Sequence, residues 1–177
     1  MDMENDMFLE LCKERFSVRK FTEEKVDDVK ISKILKAGQL APTACNLQPQ
    51  RILVINNKEA IEKVRKCTMS HFDCTLAFLV SYDQSKCWVR DYDDKKSGEI
   101  DASIAATQMM LEAHAIGVGC TWVMHFIPEA VKEEFNLPES FVPVCLLVMG
   151  YPAEDAKPFP SHSKRRELDE MVVFNHY

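Results

Sequence analysis

The chain has 177 residues, 46% hydrophobic and 28% charged, with 22 basic against 28 acidic side chains and a formal net charge of −6. Such a length fits one domain, residues 1–177, around one core, and the apolar share sets the chain apart from disordered or acidic solvating proteins. A pI near 5.4 offers no global field for a phosphate backbone, so no nucleic-acid partner is expected. The longest apolar runs, 75–80 and 142–149, fall far short of the ~18 residues a membrane helix needs, so no membrane span is expected. The opening stretch MDMENDMFLE is acidic where an export signal would be basic and then apolar, which makes the cytoplasm the expected compartment.

Phe8, Leu11, Cys12 and Phe16 recur at helical spacing and lead into the basic segment Arg15 to Phe21. Thr22 with Glu23 and Glu24 is a candidate cap for a second helix, whose apolar positions Val26, Val29, Ile34, Leu35 and Gly38 run up to Pro42. Residues 51–56 and 75–82 read as strands, with a short helix around Ala60, Ile61 and Val64 between them. After a polar stretch at 83–98, Ile100, Ile104, Gln108, Leu111 and Ala115 mark a long, alanine-rich helix expected to be buried. Gly117 is placed to cap it in a left-handed conformation before a strand at 120–124. Pro128 opens a further helix through Val131 and Phe135, and 142–149 is a fully apolar strand. The tail is polar, then basic at Lys164 to Arg166, then apolar at 171–174. Interleaved strands and helices imply an α/β or α+β domain, and the apolar tail end either packs back on its own chain or pairs with a partner's.

Three segments have the residue types for ligand binding. Arg15, Ser17 and Arg19 alternate, so an extended backbone turns two guanidinium groups and a hydroxyl to one side. Taken alone this is also the pattern of a solvated basic patch; the second basic cluster at 164–166 makes a phosphate-bearing ligand the sharper reading. The loop from Pro42 to Pro49 presents Thr43, Asn46 and Gln48, donors and acceptors suited to a heterocycle edge, although a plain helix-ending loop has the same composition. Gly117 to Phe126 permits close backbone approach by a flat ligand or simply caps a helix into a core strand. Seven cysteines without a C-x-x-C pair suit reduced, mostly buried thiols, and five histidines without i, i+4 pairing give no metal site. Neither a catalytic triad nor a phosphate-binding glycine loop is present.

Read in order, these segments resemble the flavin-dependent nitroreductase family over nearly the whole chain. RFSVRKF is similar to the family's R-x-S-x-R-x-F, and APTACNLQP to its A-P-S-A-x-N-x-Q-P loop. Asp101 to Ala106 with Leu111 and the Gly117 to Trp122 segment resemble D-A-x-I-A…L…G-x-G-x-x-W. Residues 143–152 resemble the strand that ends in G-Y-P, and Arg165 with Leu168, Asp169 and Glu170 the closing R-x-x-L-E-E. The resemblance implies an α+β fold with a mixed, mainly antiparallel sheet flanked by helices, in an intertwined homodimer with an exchanged C-terminal strand and FMN bound at the interface. By position it implies that Arg15, Ser17 and Arg165, helped by Lys164, hold the phosphate and ribityl chain. Arg19 would lie near flavin N1 and tune it, Thr43, Asn46 and Gln48 would approach from the loop, and Met124 and His125 would face N5 through their backbone. No side chain is then a catalytic nucleophile; NAD(P)H would reduce the flavin and a nitroaromatic, quinone or free flavin would reoxidise it in a ping-pong cycle. The family scaffold also accommodates flavin storage without catalysis and other reductions such as dehalogenation. Gln50, His125 and Ser163 depart from the family pattern and bear on substrate identity.

Overall fold

A computed structural model describes residues 6–177; residues 1–5, part of the acidic opening stretch, lie outside the described residues. Five helices and four strands follow one another as α1 (Met7–Glu14), α2 (Asp28–Gln39), β1 (Gln50–Ile55), α3 (Lys58–Cys67), β2 (Leu76–Asp83), α4 (Gly98–Ala115), β3 (Gly119–Val123), α5 (Pro128–Glu134) and β4 (Phe141–Gly150). The strands form one sheet in the order β1-β2-β4-β3, with antiparallel pairing throughout. The parallel component expected of a mixed sheet is confined to a single bridge between Ser17 and Cys120.

Both faces of the central strands are covered, which explains their unbroken apolar sequences. Leu76 to Val80 of β2 are at most 1% exposed, and β4 is buried from Val144 to Gly150. On one face Phe78, Val80, Cys145, Leu147 and Met149 pack against Ile31 and Ile34 of α2 and Ala102, Ala106 and Met109 of α4. On the other, Ala77, Leu79, Leu146 and Val148 meet Ile61 and Val64 of α3 and Val131 of α5. The alanines of α4 form helix readily and are thin enough to let α2 and the sheet approach from either side. The register slips between Val80 and Ser81, opposite Pro143, which has no N–H to give the ladder.

Two expectations about the second helix need correction. The second helix is capped by Asp27, not by Thr22 or its glutamates: Asp27 accepts the Lys30 N–H at 2.9 Å, while Thr22 Oγ1 accepts from Glu24 in a local turn. The chain must stay extended through Val26, which is 7% exposed in the core, before it can coil. Val29 on that helix faces solvent, and Ile31 takes the buried position instead. Residues 171–174 form no strand within the described chain. No helix among the described residues is long and apolar enough to cross a membrane.

Burial also governs the thiols. Cys67, Cys74, Cys87, Cys120 and Cys145 are buried and free, while Cys45 is exposed. Loss of hydration pushes the Cys74 thiol up to about 12, and those of Cys120 and Cys145 upward as well.

Asp27 also accepts the Tyr151 hydroxyl at 3.0 Å, so it ties α2 to the end of β4. Loss of this cap in Asp27→Ala should lower the melting temperature by about 2–8 °C. The Lys30 N–H first, then the Tyr151 hydroxyl, hold the carboxyl below its ordinary 3.8 against the opposing effect of burial. A depressed folded-state value means that this contribution is complete above the unfolded value and lost as pH falls through the folded one. The gap in melting temperature between wild type and Asp27→Ala should therefore be constant above about pH 5 and narrow below 3.8.

Candidate functional site

The segment from Arg15 to Arg19 is laid along the outer edge of β3. Val18 donates its N–H to the Cys120 carbonyl at 3.1 Å, and the Thr121 hydroxyl donates to the Val18 carbonyl. Val18 itself is 3% exposed and lies against Gly119, where a Cβ would stand 2.9 Å from the Val18 Cβ. Only glycine permits that approach. With Val18 turned inward, Ser17 and Arg19 point the other way, and Arg19 Nη1 donates to the Ser17 carbonyl at 3.2 Å. Arg15 is partly buried at the end of α1, close to Cys120 and His114. Burial first depresses the His114 imidazole below its ordinary 6.5; Glu14 opposes this and Arg15 adds to it. Just before β3, Gly117 takes the expected left-handed conformation, φ 77°.

The second basic cluster reaches the same helix. Beyond β4 the chain returns along residues 20–22 through hydrogen bonds Thr22 N–H to Tyr151 and Ala153 N–H to Lys20. His162 then sets a ring nitrogen 3.1 Å from the Lys13 carbonyl and packs edge-on to Phe16. Arg165 Nη1 donates to the carbonyls of His162 and Lys164. A cavity of about 400 Å³ lies between Cys12 and Lys13 of α1 and Ser163 and Arg165 of the arm. Lys164 is exposed.

At the other end of β3 stand Met124 and His125, both exposed. Their backbone is fixed by the Thr68 hydroxyl, which donates to the His125 carbonyl, and by the Phe126 N–H, 2.9 Å from the Met124 carbonyl. Neither the Met124 nor the His125 N–H donates to another backbone carbonyl among the described residues. From Cys120 to Met124 an extended chain covers about 14 Å.

The loop between the prolines is tightly made. Cys45, Asn46 and Gln48 have φ of 50°, 54° and 51°, a left-handed region that costs a non-glycine residue about 1–2 kcal/mol. Thr43 Oγ1 accepts the Gln48 N–H at 3.1 Å, and Gln48 Nε2 donates to the Asn46 carbonyl at 3.2 Å. Asp101 of α4, 2% exposed, accepts the Ala44 N–H at 2.9 Å and the Ser97 hydroxyl at 2.7 Å. Asp101 is thus the anchor of this loop, a role that its place in a motif does not reveal. An aspartate on the buried alanine face of this helix, four residues after a serine, is the signal that points to it.

One chain does not bring the whole residue set together. Asp101 holds Thr43, Asn46 and Gln48 at the start of α4, while Arg15 acts on His114 near its end, 13 residues and about 20 Å along the helix. Arg15, Ser17, Arg19, Arg165, Met124 and His125 gather around α1 and β3 instead. Of the departures, Ser163 lines the arm cavity, and Gln50 Oε1 is the one buried side-chain oxygen without a hydrogen-bond partner among the described residues. No cluster of three or more His, Cys, Asp or Glu side chains suited to a metal ion occurs among the described residues.

The fold has relatives among known proteins. The Nitroreductase family model matches residues 12–77 and 72–151. A nitroreductase family protein of Clostridium difficile 630 superposes with a TM-score of 0.91 at 39% identity, covering 96% of this chain and 99% of that one. An FMN-dependent nitroreductase of Clostridium difficile R20291 superposes with a TM-score of 0.78 at 27% identity, covering 96% and 99%. In sequence, a Methanothermobacter thermautotrophicus protein provisionally named NADH dehydrogenase/NAD(P)H nitroreductase is 30% identical over 159 residues, 83% of this chain and 78% of its own. With the family model spanning most of the chain and the basic segment, loop and glycine turn all in their expected order, the chain belongs to the nitroreductase family.

Proposed function

We propose that the protein is an FMN-dependent oxidoreductase, a homodimer of one domain per chain, that takes reducing equivalents from NAD(P)H and passes them to an electron-poor small molecule. The observation that carries this reading is the arrangement along β3: its start bears the basic Arg15 to Arg19 segment, and its end presents two backbone N–H groups without backbone acceptors. A phosphate at one end and a ring acceptor at the other match a flavin mononucleotide laid along one strand. The FMN-dependent relative from Clostridium difficile supports the same cofactor.

Arg15, Ser17 and Arg165, with Lys164 beside them, hold the phosphate and ribityl chain. Arg19 is exposed, free to turn from the Ser17 carbonyl toward the pyrimidine edge of the ring, where its charge favours electron uptake. The N–H groups of Met124 and His125 donate to the N5 side, and the Thr68 hydroxyl keeps that turn in place. FMN held there by Arg15, Ser17 and Arg165 would supply the hydride-transfer chemistry between reduced nicotinamide and acceptor that no side chain of this chain provides. Thr43, Asn46 and Gln48 are held about 20 Å along α4 from the His114 end that Arg15 approaches, which supports their approaching the flavin partly from the partner subunit. Uncovered apolar side chains fit this exchange: Phe8 and Leu9 on α1, Ile100 on α4, and Leu168, Met171 and Phe174 in the tail are 52–81% exposed. In the dimer the tail crosses to the partner and adds a strand there.

Purified protein should be yellow and bleach when NADH or NADPH is added without oxygen. Protein that stays yellow with both nucleotides would instead be a flavin store, and protein that refuses added FMN would end the assignment. Loss of one charged contact from Arg15→Ala or Arg165→Ala should weaken FMN binding about 10- to 100-fold while riboflavin, which lacks the phosphate, is held nearly as before. Sedimentation should give twice the 20.3 kDa chain mass. Deletion of residues 168–177 should shift the protein toward monomer and lower its flavin content.

A further inference from the structure

The loop that carries Thr43, Asn46 and Gln48 is strained at three positions, and such strain persists only where the surroundings over-determine the backbone. From the α4 side Asp101 does this through the Ala44 N–H. The opposite end of the loop has a different problem. Pro49 has no N–H to give, its carbonyl accepts the Asp83 N–H at 2.9 Å, and the Gln48 carbonyl before it is left just outside the β1 pairing.

Arg51 fills the gap with its side chain. Its Nη1 donates to the Gln48 carbonyl at 3.1 Å and to the Gln50 carbonyl at 2.8 Å, spanning Pro49. The Gln48 carbonyl accepts no other hydrogen bond among the described residues. Alternation along β1 puts Arg51 on the same face as Leu53 and Ile55, away from α2 and α4. There the guanidinium is steadied by the Asp83 carboxylate, 4.0 Å from Nη2, and by the Phe141 ring, 5.8 Å from Cζ to centroid. The Ser85 hydroxyl first, with further help from the Ser85 N–H, Ser140 and Arg51, holds Asp83 below the usual carboxylate range, so the countercharge is present at neutral pH.

We propose that Arg51 is a positioning residue for the cofactor site: with Asp101 it clamps the loop from the two faces of the sheet and sets Gln48 and Asn46 in the conformation that meets the flavin ring. This rests on the flavin reading for its consequence, though not for the clamp itself. Arg51 touches neither cofactor nor substrate. Lysine, with three donors on a flexible stem, can bridge the same two carbonyls; glutamine and methionine cannot bring a charge to both.

The test has two independent readings. In flavin-free protein, amide hydrogen exchange at Gln48, whose N–H rests on Thr43, should quicken about 10-fold in Arg51→Met and Arg51→Gln and return toward wild type in Arg51→Lys. In titrations of the same proteins followed by flavin fluorescence, Arg51→Met should weaken FMN and riboflavin by a common factor of about 10. A common factor leaves their ratio unchanged, because the loop faces the ring and not the phosphate. Arg51→Lys should restore most of the affinity and the visible band shape of bound flavin. Exchange at Gln48 that is the same in wild type and Arg51→Met, or a loss that lysine fails to rescue, would overturn the clamp. Should wild type bind no flavin while the exchange result holds, the clamp stands and the cofactor assignment falls.

Discussion

Burial of α4 between α2 and the sheet is the constraint on which the remaining layout depends. The helix is 18 residues long, and its alanines leave no room to tilt or shorten it without opening the core on both sides. Its ends therefore stand at a set separation. Asp101 near one end anchors a polar loop, and His114 near the other lies beside the basic segment. A rigid spacer of this kind holds the two halves of the proposed site apart on one chain, and in the proposed dimer a second copy completes it.

Each half is held by a device suited to its position. The basic segment has no helix or turn of its own to stiffen it and depends on β3, with Gly119 giving up a side chain so that Val18 can seat. The loop, in contrast, stores strain and is pinned by charged side chains on both flanks. Extended backbone on a sheet edge suits a long, flexible chain such as a phosphoribityl group, whereas a ring needs donors and acceptors that do not drift. Rigidity is concentrated where the proposed ligand is itself rigid.

Much of this was legible in the residues. Period and turn chemistry placed each of the four strands to within one position, helped by the burial of β2 and β4 on both faces, whose apolar runs admit no other register. Thr22 and Asp27 are both capping residue types, Asp the stronger, and the burial of Val26 between them, a tertiary fact, decides the cap of α2. Of the short motifs behind the family resemblance, the basic segment and Arg165 do meet near the end of α1, yet the resemblance did not distinguish Asp101 as an anchor or single out Arg51 at all. Hydrogen bonds from a side chain to the backbone of a neighbouring loop leave no periodic trace. The fate of the tail was likewise open, since a stretch of apolar residues after a polar arm has the same sequence whether it folds home or crosses over.

The seven thiols have a practical consequence. With five of them buried and three of those strongly disfavoured as thiolates, the folded protein offers Cys45 as its exposed sulfur, placed within the strained loop itself. Alkylating reagents would mark Cys45 first, the half-buried Cys12 next, and the five interior sulfurs only when the core opens. The order in which the sulfurs become labelled is then a built-in clock, separating motions confined to the loop from unfolding of the whole chain.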